Sequence, residues 1–260
     1  MLNPDEVGRR ARRPVRIGLV AFDSAGYAAM EDFLGPDLDQ VYRAGDPGAP
    51  DKVDLVLYQQ GIPCPEGAYL LSFDDPAATV AEILRDHDDL ELALARQFAP
   101  FRKPVVEGII QAVSRENAVF AVTTALPDLI PNLGELPWAF GEFASDTAFL
   151  TANQVRMAFL IAAACGKEVG YAQRTAEILS IAAGAFGWRA LARELVGKIP
   201  FGGGIIPKGA IAYAGTFAIG KGLEQYHVAG ALYTRAQRKE VYQAALQRGK
   251  VVVEALRGKL

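Results

Sequence analysis

Residues 18–35 read GLVAFDSAGYAAMEDFLG, an apolar run, a turn of small residues, and a helix-length segment that stops at Gly35-Pro36. A nucleotide-binding P-loop opens with the same strand, turn and helix. Its chemistry requires G-x-x-x-x-G-K-[ST], because backbone N–H groups wrap the phosphates, the lysine neutralises their charge and the hydroxyl holds magnesium. With Gly26 on the second glycine, Ala21 falls on the first, Tyr27 on the lysine and Ala28 on the hydroxyl. The frame is kept and the chemistry is lost. What remains is a candidate anion site at the start of a helix, Ser24, Ala25, Gly26 and Tyr27, where backbone N–H groups would do the binding. The next apolar run, VDLVLY, ends in Gln59-Gln60-Gly61 instead of an aspartate placed for magnesium, and no guanine-reading [NT]-K-x-D occurs in the chain. No catalytic residue and no cofactor are expected.

Working outward, residues 15–22 predict a buried strand, 25–34 a short helix, 40–43 a short edge strand, 53–58 a second buried strand and 68–73 a third. Asp74-Asp75-Pro76 supplies an N-cap and a first-turn proline for a helix running to about His87. Strands interleaved with helices indicate a small parallel, Rossmann-like sheet over residues 15–87, preceded by a basic tail at 1–14. From residue 88 onward Ala, Gly, Leu and Ile recur at helical spacing. Helices are expected over 88–98, 104–125, 147–165, 171–186, 188–198, 206–233 and 237–256, with a proline-rich connection at 126–138 and a glycine turn at 202–204. The fold class is therefore α+β, a small α/β domain followed by a larger all-α domain at 88–260.

Charge is unevenly spread along the 260 residues, whose formal net charge is -3. Residues 1–16 carry Arg9, Arg10, Arg12, Arg13 and Arg16 against Asp5 and Glu6, and residues 235–260 are also rich in Lys and Arg. Basic ends on an acidic, apolar body suit solvated tails or contact with an anionic membrane surface. The two cysteines, Cys64 and Cys165, have no metal or redox spacing, and no signal-peptide pattern opens the chain. These features fit a cytoplasmic protein, or one peripheral to the inner face of the membrane. The longest run free of Asp, Glu, Lys and Arg is 209–220, shorter than the roughly 20 residues of a spanning helix. The stretch 202–222 nevertheless carries one charge in its first 19 residues, which leaves a span or a lipid-facing hairpin as alternatives to a core helix.

Other constellations are weaker. Asp86-His87-Asp88-Asp89 has metal-capable side chains, but consecutive residues point in different directions, so no metal site is expected. Gly202-Gly203-Gly204 with Lys208 has the reach of a phosphate cradle, yet Pro207 and Gly209 stand where a glycine and a hydroxyl belong. Glu135, Glu142 and Asp146 read as caps and surface charge, and His227 as a core or interface residue. Aromatic residues scattered among alanines are core patterning, so no nucleic-acid partner is expected. Ala210, Ala214, Ala218 and Gly222 recur every fourth residue and form a smooth ridge. Such a ridge admits a close helix neighbour, from this bundle or from a second protein, which makes the four residues interface candidates.

The blocks TALPDLIP (124–131), LTANQVRMAFLIAAACG (150–166), GAFGWRALARELVGKIPFGGG (184–204) and AIAYAGTFAIGKGLEQY (210–226) together resemble the GTPase-associated hydrophobic domain called domain of unknown function 697. The resemblance covers about 105–226. It implies a helical domain that accompanies an Era-like GTPase domain, with some relatives in the inner membrane, and it carries no catalytic residues. A full GTPase domain needs more chain than precedes the helices here. The expected role is a non-catalytic interaction or scaffold protein that binds a separate GTPase or a second copy of itself near the membrane. The alternatives are a nucleotide- or anion-binding protein that uses the N-terminal unit without a P-loop lysine, and a membrane-inserted structural protein.

Overall fold

The computed structural model describes residues 3–124, 146–183 and 205–257. The expected helix at 188–198, the proline-rich connection and the glycine turn lie outside these residues. Two compact units form, the first Met1–Glu107 with Ala162–Val169, the second Gly108–Ile161 with Gly170–Leu260. The architecture is α+β, a small parallel sheet in the N-terminal part of the chain and a larger helical part.

In the first unit, β1 (Ile17–Val20), β2 (Val41–Arg43), β3 (Leu55–Gln59) and β4 (Tyr69–Leu71) lie in the order β2-β1-β3-β4, all parallel. The register places Ile17 beside Leu55, Leu19 beside Leu57, and Leu57 beside Tyr69. Because strand side chains alternate, Ile17, Leu19, Leu55, Leu57, Tyr69 and Leu71 share one face. That face is buried under Met30 and Leu34 of α2 (Ser24–Leu34), Val80 and Ile83 of α3 (Pro76–Asp86), and Leu94, Phe98 and Phe101 further along. Helix α3 begins as its sequence indicates, with Asp75 accepting a hydrogen bond from the Ala78 N–H at 3.2 Å and a proline in the first turn.

The opposite face is less covered than the buried strands expected over 15–22 and 53–58. It carries Tyr42, Gly18, Val20, Val56, Tyr58 and Leu70; these are half-buried, and Leu70 is 39% exposed. All-parallel sheets ordinarily cover both faces with helices. Here the helices of the core cluster pack on one.

The composition boundary at residue 87 also moves. Helix α4 (Glu91–Gln97) and the start of α5 (Ala99–Thr123) add Leu90, Ala93, Leu94, Phe98 and Phe101 to the sheet's core, so the first unit extends to Glu107. Helix α5 begins before Pro104, where the sequence indicated its start, and that proline lies inside it. Burial of Phe101, Val105 and Val106 offsets the backbone hydrogen bond that Pro104 cannot donate.

The basic tail is a helix. Residues Pro4–Arg12 form α1, capped by Asn3, which accepts from the Asp5 N–H at 3.0 Å, with Asp5 and Glu6 in the first turn and arginines in the last. That charge order complements the helix dipole. Val7 and Ala11 are each 1% exposed, and α1 packs against α4. Arg13 then bonds Asp89 at 2.8 Å, and Gln97 accepts from the Val15 N–H and donates to the Arg13 carbonyl. Replacing Val7 by aspartate should cost about 3 kcal/mol, because a charge would enter an apolar contact. An unchanged thermal unfolding midpoint would mean that the segment does not contribute to the fold.

The second unit contains α6 (Asp146–Ala164), α7 (Thr175–Ala183), α8 (Ile205–Ala229) and α9 (Arg235–Arg257) together with the rest of α5. Helices α8 and α9 form an extensive antiparallel contact. No helix among the described residues is long and apolar enough to cross a membrane.

Candidate functional site

In a parallel sheet of this order the connections leave β1 and β3 toward opposite sides, and a crevice opens at their carboxyl ends. Ligands of open α/β folds bind in such crevices. The loop after β1 and the end of β3 meet in this one, and the Gln59 side chain occupies it. Its Oε1 accepts from the Phe22 N–H at 3.1 Å. A Cβ on Gly26 would stand 2.2 Å from that oxygen and 3.1 Å from the Ala21 methyl. The absence of a Cβ at Gly26 leaves room for the Gln59 side chain.

Asp23 caps α2, its Oδ1 accepting from the Gly26 N–H at 2.8 Å and its carbonyl from the Tyr27 N–H at 3.1 Å. Two of the N–H groups proposed for an anion are thus bonded to Asp23, which also brings a negative charge to the helix start. Ser24 and Ala25 are exposed at the same turn. Tyr27 packs against the core, and the Arg43 guanidinium lies 5.4 Å from the centre of its ring. Arg43 in turn forms a forked pair with Glu31 at 2.6 and 2.7 Å, and its hydrogen bonds hold the Glu31 carboxyl below its ordinary pKa. The position of the P-loop lysine is a packing position.

Sequence reading registered Gln59 only as a missing aspartate. The signal that could have found its role is a polar residue at the end of a buried strand beside the central crevice. Replacing Gly26 with alanine should displace the Gln59 amide and cost about 1 kcal/mol, the worth of the Phe22 hydrogen bond. In a Gln59→Ala background the same change should be neutral or stabilising, because alanine then contributes only its helix propensity. Equal costs in both backgrounds by chemical denaturation would contradict the contact.

The second unit accounts for the remaining candidates. Ala210, Ala214 and Ala218 are fully buried, and Gly222 is buried with them. A Cβ on Gly249 of α9 would stand 2.8 Å from the Ala210 carbonyl oxygen, so small residues on both helices bring the backbones together. The ridge is internal packing of this chain, which removes it as a surface for a partner or for lipid. His227, at the end of α8, has a side chain 2% exposed, with Nε2 3.4 Å from Glu177 Oε2. Arg174 donates to the other Glu177 oxygen at 2.8 Å. His227, Glu177 and Arg174 form a buried polar cluster among the described residues.

Asp86 accepts from the Tyr69 hydroxyl at 3.3 Å, Asp89 pairs with Arg13, and His87 stands edge-on to the Tyr69 ring. No group of metal-ligating side chains forms among the described residues. Glu135, Glu142 and Gly202 to Gly204 lie outside them, and Lys208 is exposed.

The most connected polar feature is one that sequence reading missed. Asn117 of α5, fully buried, donates to the Thr216 hydroxyl of α8 at 2.8 Å and accepts from Asn153 of α6 at 2.9 Å. Gln154 also donates to Thr216, at 3.4 Å. Glu116 and Arg156 pair alongside, again between α5 and α6. Three helices are held in one register by this ladder, since any slip would strand amides in apolar surroundings. Asn117→Ala should therefore cost about 2–4 kcal/mol, more than one hydrogen bond, because Thr216 and Asn153 both lose a partner. Chemical denaturation of the variant checks the magnitude.

Comparison with protein-family models, with curated proteins and with solved structures returned no match. Fold and site together define a parallel α/β unit whose strand-end crevice is filled by its own side chain, joined to a helical unit locked by buried amides.

Proposed function

We propose that this is a non-catalytic interaction protein, whose α/β unit docks a protein partner on the open face of its sheet. The observation that carries the reading is the chemistry of that face. Val20 lies beside Tyr58 and Tyr58 beside Leu70, while Gly18 lies between Tyr42 and Val56. Apolar side chains fill positions that a sheet meant to face water would give to polar ones. The occupant that suits a parallel sheet is a helix with an apolar stripe, the element that covers the other face. Exposed Phe22, at 65%, extends the patch beyond the end of β1.

The resemblance of the helical region to the GTPase-associated hydrophobic domain favours a separate GTPase as the class of partner, with self-association as the alternative. The nucleotide-binding reading is weaker, since an anion would have to displace Asp23 from the Gly26 N–H and the Gln59 amide from the Phe22 N–H. A membrane-inserted role is also weaker. The small-residue ridge of the apolar helix α8 is buried within the chain, with Ala210 against α9, which favours peripheral contact through basic residues as the route to a membrane.

A photo-crosslinking residue at Tyr58, introduced in the native host, should capture a protein, and Leu70→Lys should abolish the capture without lowering thermal stability. Calorimetry with GTP and ATP at millimolar concentration should register no binding. Nucleotide binding that weakens in Gly26→Val would overturn the proposal in favour of the anion site.

A further inference from the structure

The first unit carries a groove of about 350 Å³ between α3 and the first turns of α5, with Phe33 of α2 also lining it. Its volume falls in the range of small-molecule sites, roughly 300–1,000 Å³. The hollow exists because α3 presents Ala77 and Ala81, one turn apart, where larger side chains would fill it. Val80 and Phe33 add apolar wall. Pro76, Pro100 and Pro104 line it too, and their rings add apolar wall on a backbone of fixed φ.

Among the described residues, the charged side chains on this lining are Lys103 and Glu107, one turn apart on α5. Glu107 is engaged in an interaction of its own. Lys103 is exposed and forms no ion pair among the described residues. An apolar cleft with an unpaired ammonium at its margin selects for a molecule with an apolar body and an anionic head.

We propose that this groove is a binding site for a small amphipathic carboxylate. The hydrocarbon lies on Phe33, Val80 and the two alanines, and the carboxylate meets the Lys103 ammonium. The site is separate from the strand-end crevice and from the open sheet face, and it stands whether or not that face docks a protein.

The test is titration calorimetry of the full chain with octanoate, 1-octanol and octylammonium. Octanoate should bind saturably at one site, at least threefold more tightly than 1-octanol and more tightly than octylammonium. Lys103→Met should weaken octanoate about threefold to fivefold, the scale of an exposed ion pair, and leave 1-octanol unchanged. Ala81→Trp, at an exposed position, should fill the groove and weaken both at least tenfold while circular dichroism and the thermal midpoint stay as in the parent protein. Four results would overturn the proposal: no saturable binding, a preference for octylammonium, undiminished octanoate binding in Lys103→Met, or undiminished octanoate binding in a folded Ala81→Trp protein. Should Ala81→Trp fail to fold, the Lys103→Met comparison decides alone.

Discussion

Alternation along four short parallel strands is the constraint on which the first unit depends. Once Ile17 is paired with Leu55, every second residue is committed to the helix-covered side, and the register carries that choice across to Tyr69 and Leu71. Gln59 falls on the same side, and so its amide meets the start of α2. Arg43 does too, which brings it to Glu31 and Tyr27. The remaining positions, Gly18, Val20, Val56, Tyr58 and Leu70, are left as an apolar surface by the same rule. A slip of one residue would exchange the two faces and expose the whole core.

Local signals were well represented in the sequence. The turn at Gly35, the Asp75 cap with Pro76, and each strand centre were legible because each is decided by a few neighbouring residues. Helix α1 was legible in principle as well, since Asn3-Pro4 opens it and Val7 and Ala11 fall one turn apart. The density of arginine hid that pattern and suggested a solvated tail. The first unit's limit at Glu107 was not legible from composition, because Phe98 and Phe101 belong to helical sequence but pack against the sheet.

What was not legible depends on contacts between distant residues. Gln59 reaches Phe22 across 37 positions, and Asn117 reaches Thr216 across 99. Neither residue stands out by type. A glutamine at a strand end and an asparagine in a helix are both ordinary until register and packing place a donor or an acceptor opposite them. The ridge of Ala210, Ala214 and Ala218 was visible as spacing, but spacing is the same for an internal neighbour and an external one. Burial decides between them, and at Ala210 the neighbour is Gly249 of α9.

That neighbour has a mechanical consequence. With Gly249 against the Ala210 backbone, the two long helices meet at van der Waals distance and cannot roll or slide past each other without a clash. The cations Arg238, Lys239, Arg248 and Lys250 are consequently spaced along a stiff rod instead of being averaged over a fluctuating tail. A stiff rod presents a fixed charge lattice. Arg248 shows the effect directly, since its guanidinium lies 5.5 Å from the centre of the Phe217 ring of α8 and is placed by the same contact between helices.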